Sequence, residues 1–339
     1  MMGQPTIIDI AERAGVSKSL VSLVLRGSPR VSEASRRLVL QAAAELGYRP
    51  NAMARSLVSR RTHVLGAVLS DLHNTFFAEV LDGIDGRARQ AGYRTLLAAG
   101  HRSAARESEA IEALLELRTE GLVLAGPKVR SSRILEASRT VPVVVVSRAV
   151  RGDNVDCVLS ADGVGAAAAV DHLVSLGHRR IAHIDGGTGA GAAARLRGYL
   201  RAMERHGLKA EIRWERGDFT EEAGAAAVDR LLARGRRPTA IFAANDLSAL
   251  GALEALTRHG LAVPDDVSLV GYDNTALARL AHVNLTTIDQ PRREMGIAAA
   301  ELLLERIEGR RTSAKKLVLA PSLVVGRTTA PPHGRGRSD

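Results

Sequence analysis

The stretch Ala14-Gly15-Val16-Ser17-Lys18-Ser19-Leu20-Val21-Ser22 puts a small residue and a glycine in a turn, followed by short polar side chains at the start of a helix. That is the pattern of a helix-turn-helix, whose second helix enters the DNA major groove N-terminus first. Working outward, Thr6 and Asp9 form a Thr-x-x-Asp capping box, Ile7, Ile10, Ala11 and Ala14 recur at helical spacing, and Gly15 ends the first helix. Ser17 caps the second helix, with Val21, Val24 and Leu25 turned inward and Lys18, Ser19, Ser22, Leu23 and Arg26 on the opposite face. Ser32 caps a third, with Leu38, Ala42 and Leu46 expected inside and Gly47 at its end. An ordinary surface hairpin of helices would read the same way, so charge has to arbitrate.

Residues 1 to 62 hold ten basic side chains against four acidic ones, so this first fifth carries +6 of the chain's formal +10. A cationic module of this kind points to a polyanion. Beyond it, Pro50 cannot continue a helix, and Asn51 can cap a short segment from Ala52 to Leu57. Six residues are too few for a stable isolated helix, so this one is expected to fold only against a partner. Arg60 and Arg61 complete the linker.

The 339 residues suffice for two or three domains with full cores, and 45% hydrophobic with 25% charged residues is ordinary globular composition. Cys157 is the only cysteine, which excludes an internal disulfide and a thiolate zinc site. No apolar run approaches the ~20 residues of a membrane span, and the first 25 residues lack the profile of an export signal, so a cytoplasmic location is expected. From Thr62 onward short apolar runs alternate with helical segments: Val64 to Leu69, Thr95 to Ala98, Gly121 to Leu124, Val141 to Val146, Ile181 to Ile184, Ala240 to Ala243 and Ser268 to Val270. Such alternation implies parallel sheets covered on both faces, either one barrel or two doubly wound sheets. The Pro/Gly/Arg-rich end from Ala330 is expected to fray.

Thr6-Ile7-Ile8-Asp9-Ile10-Ala11 through Ser22, Val31-Ser32, Leu46-Gly47-Tyr48-Arg49-Pro50-Asn51 and Ala54-Arg55-Ser56-Leu57 resemble the lactose repressor (LacI/GalR) family of bacterial transcription regulators. The likeness continues through Asp71, Asn74-Thr75-Phe76-Phe77, Leu176-Gly177-His178-Arg179-Arg180-Ile181, Arg195-Leu196-Arg197-Gly198-Tyr199, Asn245-Asp246, Gly271-Tyr272-Asp273-Asn274 and Thr286-Thr287-Ile288-Asp289-Gln290-Pro291. Each match is weak alone; their order and spacing are specific. The resemblance implies an α/β protein: a three-helix helix-turn-helix DNA-binding domain (1–50), a hinge helix and linker (51–62), and a periplasmic-binding-protein-like core of two doubly wound parallel-sheet subdomains (63–330). It divides that core into about 63–161 plus 290–320 and about 162–289 plus 321–330, and leaves 331–339 as a tail.

The same resemblance implies a homodimer, with a tetramer left open, reading a near-palindromic operator and controlled by a small effector held between the subdomains. Lys18, Ser19, Ser22, Leu23 and Arg26 are the candidates for base-edge contacts, and Thr6, Ser17, Ser32 and Arg36 for phosphates. Asn51, Ala54, Arg55 and Leu57 fall on the hinge, where the family wedges a leucine into the minor groove, an act that unstacks a base step. The chain departs from the family at Leu23, where an arginine is usual, so an atypical operator is expected. For the effector, Asp71, Phe77, Arg195, Asn245, Asp273 and Gln290 match ligand-contacting positions, with Arg148 and Phe219 as weaker additions. Carboxylates, amides, a guanidinium and aromatic faces suit a polyol, so a sugar or sugar derivative is expected. Asp71 or Asp273 capping a helix, and Phe77 lying in the core, remain open alternatives.

Enzyme motifs fare poorly. Gly187-Thr188-Gly189-Ala190-Gly191 lacks the third glycine of a dinucleotide loop, and neither a phosphate-cradling Gly-x-x-x-x-Gly-Lys-Ser/Thr, a His-Glu-x-x-His nor a Gly-x-Ser-x-Gly occurs. No catalytic residue, metal site or cofactor is expected, and His178 and His183 read as structural. A transport solute-binding protein is the rival class, disfavoured by the basic N-terminal module.

Overall fold

A computed structural model describes residues 5–25, 27–48 and 61–332, and the chain separates into two units, Met1–Thr62 and His63–Asp339. The candidate contact Arg26 and the hinge candidates Asn51, Ala54, Arg55 and Leu57 lie outside the described residues. So do residues 333–339 of the expected tail, whereas Ala330 is anchored: its N–H donates to Ser268 Oγ (3.0 Å) and its carbonyl accepts from His178 Nε2 (2.8 Å).

The first unit packs α1 (Ile7–Ala14), α2 (Lys18–Leu25) and α3 (Glu33–Glu45) around Ile10, Val21, Val24, Val31, Val39 and Ala42. Thr6 and Asp9 close the reciprocal capping box, and Gly15 ends α1 with a φ of 64°, a left-handed turn that glycine adopts without strain. In α3 the inward stripe differs from expectation. Leu38 is 54% exposed, and Val39, Ala42 and Ala43 take the interior with Leu46 half-buried. The i, i+3, i+4, i+7 row starting at Val39 meets α1 and α2; Leu38 sits about 100° away on the helix surface.

The second unit contains two six-stranded sheets. The first runs in the order β11 (Lys316–Leu319), β5 (Val155–Ser160), β4 (Val143–Val146), β3 (Gly121–Ala125), β1 (Val64–Leu69), β2 (Arg94–Ala99), with every neighbour parallel. The second runs β12 (Ser322–Val324), β10 (Thr286–Asp289), β9 (Ser268–Asp273), β8 (Ala240–Ala243), β6 (Ile181–Ile184), β7 (Arg213–Glu215), parallel except for β12. Two doubly wound sheets, not one barrel, are therefore the answer to the alternative that periodicity left open.

In the first sheet α4 (Thr75–Gln90) and α11 (Arg292–Ile307) pack on one side, α5 (Ala104–Glu116) and α6 (Ser131–Ala137) belong to the other core cluster. In the second, α7 (Asp162–Ser175) and α8 (Ala192–Arg205) cover one side, α9 (Glu221–Ala233) and α10 (Asp246–Arg258) the other. The strand expected over Val141–Val146 begins at Val143, because Pro142 has no N–H for the ladder. Strands β5, β7, β10, β11 and β12 were not among the expected runs. The chain passes between the sheets after β5, after β10 and between β11 and β12.

Candidate functional site

The carboxyl ends of both sheets' strands converge on one cleft. Its first wall comes from Ser70 and Asp71 beyond β1, Asn74, Phe76 and Phe77 at the start of α4, Arg102 beyond β2, Gly126 and Lys128 beyond β3, and Ser147 beyond β4. Its second wall comes from Gly189 and Ala190 beyond β6, Arg195 on α8, Asp218 and Phe219 beyond β7, Asp273 at the end of β9, and Gln290 beyond β10. Open parallel sheets bind ligands at these ends.

The second wall is organised around Arg195, whose side chain is only 6% exposed. Its Nε donates to Asp162 Oδ1 (2.9 Å), its Nη1 to the Ala244 carbonyl (2.5 Å), and Asp273 Oδ1 lies 3.6 Å away. The guanidinium stacks 3.8 Å from the Tyr272 ring centroid and 5.5 Å from that of Phe219. Burial alone would lower the Arg195 pKa, but Asp162 and Asp273 outweigh it and hold it above the ordinary value. Asp273 is pushed well up by burial, with Gln290 Nε2 donating to its Oδ1 (2.5 Å). Asp246 beneath it is also raised by burial, and accepts from Thr275 and Thr287. Phe219 lies flat on the turn after β6: a Cβ on Gly186 or Gly189 would meet its ring at 2.2 to 2.6 Å, so only glycine permits the aromatic platform there.

On the first wall, Asp71 Oδ1 accepts from the His73 N–H (2.9 Å) and Asn74 caps α4. Phe77 meets Phe76 edge-on and packs on Gly126. Among the described lining residues, the ion pair Arg102–Asp218 joins the two walls. Arg102 Nη2 donates to the Asp218 carbonyl (2.7 Å) and lies 2.9 Å from its carboxylate. Partial burial would raise the Asp218 pKa, but hydrogen bonds from Thr220 and Arg102 bring it below its ordinary value.

Of the eight effector candidates, Asp71, Phe77, Arg195, Phe219, Asp273 and Gln290 line this cleft; Asn245 and Arg148 are not among its lining residues. Asn245 is the N-cap of α10 and donates to the Phe219 carbonyl (3.1 Å). Arg148 donates to the carbonyls of Pro127 (3.0 Å) and Val129 (2.5 Å) and to Ser131 Oγ. Ser70, Arg102, Lys128, Ser147 and Asp218 line the cleft without having been singled out in the sequence; positions just past expected strand ends were the available signal for all but Asp218, which follows the unexpected β7. Among the described residues no group of three or more His, Cys, Asp or Glu side chains is placed to hold a metal ion, and no helix is long and apolar enough to cross a membrane.

In the first unit, α2 presents Lys18, Ser19 and Leu23 to solvent, with Ser22 half-buried. Ser17 Oγ accepts from the Leu20 N–H (3.2 Å) as a cap, and the Thr6 and Ser32 side chains cap α1 and α3. Arg36 is half-buried and donates to the Ser28 carbonyl (2.7 Å).

A cationic helix-turn-helix unit followed by a two-sheet ligand cleft defines a DNA-binding regulator with an effector core. The chain belongs to the lacI family of bacterial regulatory proteins, DNA-binding transcriptional regulators with an effector-binding core. Residues 6–51 match the model described as "Bacterial regulatory proteins, lacI family", and residues 170–329 match the "Periplasmic binding protein-like domain". The HTH-type transcriptional repressor PurR of Proteus mirabilis is 35% identical over 333 residues, covering 96% of this chain and 97% of that one. The ribose operon repressor of Haemophilus influenzae is 35% identical over 322 residues, covering 94% and 97%. The lac repressor dimer bound to operator and the anti-inducer ONPF superposes with a TM-score of 0.85 at 30% identity, covering 97% of this chain and 100% of that one. A CelR–cellobiose complex gives 0.71 at 34% identity, covering 96% and 99%.

Proposed function

We propose that this protein is a cytoplasmic transcriptional repressor, not an enzyme, whose operator affinity is set by a small sugar or sugar derivative in the cleft. The observation that carries the reading is the convergence of both sheets' carboxyl ends on a cleft bearing carboxylates, amides, guanidinium groups and aromatic rings. That is the donor, acceptor and stacking set a polyol requires. Asp71, Asp273 and Gln290 are assigned to hydroxyls and Phe77 and Phe219 to the ring faces. Arg195 serves as a buried donor and as the counter-charge that keeps Asp273 usable. Asn245 and Arg148 act at one remove, fixing the Phe219 loop and the Pro127–Val129 loop.

On the DNA side, Lys18, Ser19, Ser22 and Leu23 face the bases, and Thr6, Ser17, Ser32 and Arg36 serve the phosphates, where exposed helix N-termini attract anions. Residues 1–50, 51–62 and 63–330 are the DNA-binding, hinge and effector-binding divisions. The working form is a homodimer, the state of the operator-bound lac repressor to which the chain is similar. Ligand that favours one relation of the two sheets shifts the population of operator-competent dimers. The test is operator titration of the full chain by fluorescence anisotropy with and without candidate sugars. A sugar that binds and moves operator affinity at least tenfold supports the reading; binding that leaves operator affinity untouched refutes it.

A further inference from the structure

The cations of the cleft are not equivalent. Arg195 is neutralised by Asp162 and Asp273, and Arg102 by Asp218. Lys128 lines the first wall half-buried, and no carboxylate among the described residues lies within ion-pair reach of its ammonium. Its backbone is braced from both sides. The buried carboxylate of Glu107 accepts the N–H groups of Lys128 (2.6 Å) and Val129 (2.8 Å), while Arg148 holds the flanking carbonyls of Pro127 and Val129. The same lining holds Ser147, whose Oγ is inaccessible to solvent and has no hydrogen-bond partner. Ser147 also holds a φ of 67°, a left-handed conformation unusual for serine. A buried hydroxyl left unsatisfied is costly, and an ammonium carried on a braced backbone in the same lining has no carboxylate partner.

We propose that the Lys128–Ser147 corner is an anion subsite, and that the effector carries a carboxylate or a phosphate there. This deepens the reading of the cleft as an effector site and rests on it. The ammonium supplies the charge and the Ser147 hydroxyl a hydrogen bond to one of the anion's oxygens; Asp71 and the second wall remain for the uncharged hydroxyls. Losing a charge-assisted hydrogen bond of this kind weakens binding by about 10- to 150-fold.

The experiment is calorimetric titration of the full chain with matched triples: ribose, glucose and cellobiose, the aldonate of each, and a terminal phosphate ester of each. At least one acidic member should bind at least tenfold tighter than its neutral parent, and its affinity should fall as salt rises. Aldonate and phosphate arms tell the two anion sources apart. In Lys128→Met the advantage of the acid should vanish while the neutral parent's affinity stays put; Lys128→Arg should retain it, and Ser147→Ala should lose a smaller part. Neutral sugars binding as well as their acids, no response to any acid, or an unchanged acid affinity in Lys128→Met would each overturn the proposal. Operator anisotropy is read in parallel: an acid that binds through Lys128 without altering operator affinity strikes the repressor reading and leaves the anion subsite standing.

Discussion

The two walls of the cleft solve the same problem by different means. The second wall buries all its charges but one: Arg195, Asp162, Asp246 and Asp273 are buried together, and Asp218 is the exposed exception. The first wall leaves Asp71 and Lys128 partly in water, each on a short turn just past a strand end. A buried network fixes geometry and is expensive to break, whereas a wetter wall can exchange partners as ligand arrives. The difference predicts that stability is written mainly on one wall and adjustable affinity on the other.

The sharpest break is Arg195→Met. It strands Asp162 and Asp273 as buried carboxylates without a counter-charge, and breaking such a pair costs about 3 to 5 kcal/mol. Chemical denaturation at neutral pH should show a loss of that size for the second unit. Next in size is a pH effect from His183, which burial drives down to about 4 despite its hydrogen bond to the Phe242 carbonyl. Its folded pKa lies below the unfolded value of about 6.5, so the stability it supports is present above pH 6.5 and lost as pH falls toward 4. Full linkage amounts to about 3 kcal/mol. Stability curves of the wild type and His183→Phe measured from pH 7.5 to 4 should diverge in that window. Parallel curves would mean that the imidazole does not titrate with unfolding.

A smaller effect belongs to the bridge between the walls. Arg102 and Asp218 are 27% and 51% exposed, and partly solvated pairs are worth about 1 kcal/mol or less. Arg102→Ala should therefore barely move the unfolding midpoint. It should nonetheless raise the open fraction of the cleft, read as a larger radius of gyration in ligand-free X-ray scattering. The smallest change expected is Asp71→Asn, within about 0.5 kcal/mol in stability. A destabilisation by Asp71→Asn comparable with that of Arg195→Met would erase the contrast between the walls.

How far the sequence could be read follows the same physics. Uninterrupted apolar runs such as Val64–Leu69 and Ile181–Ile184 announce buried parallel strands, and Thr6, Gly15 and Ser32 announce helix ends, because each signal is local. Strand β5 did not announce itself, since Asp156 interrupts its apolar run. The structure compensates that buried carboxylate with Arg306 (3.1 Å), Arg311 (2.8 Å) and the Lys315 N–H (2.6 Å), partners about 150 residues away in the chain. Edge strands β11 and β12 alternate exposed and half-buried residues and contain no continuous run. Leu38 and Val39 are adjacent apolar residues, and packing against α1 and α2 chooses between them. Near the first wall, the sequence singled out Arg148 as an effector candidate and passed over Lys128, yet only Lys128 lines the cleft. Which of them turns to backbone carbonyls and which to the cleft depends on how β3 and β4 lie side by side.

Whether the cationic first unit reads DNA on behalf of the cleft-bearing second is decided by selecting duplexes from a random pool with the full chain. The selected motif is then bound across a range of salt concentrations. The expected result is enrichment of a near-palindrome and a fall in log affinity against log salt with a slope of several units, about 0.9 for each phosphate neutralised. No enriched motif together with a slope near zero would contradict it.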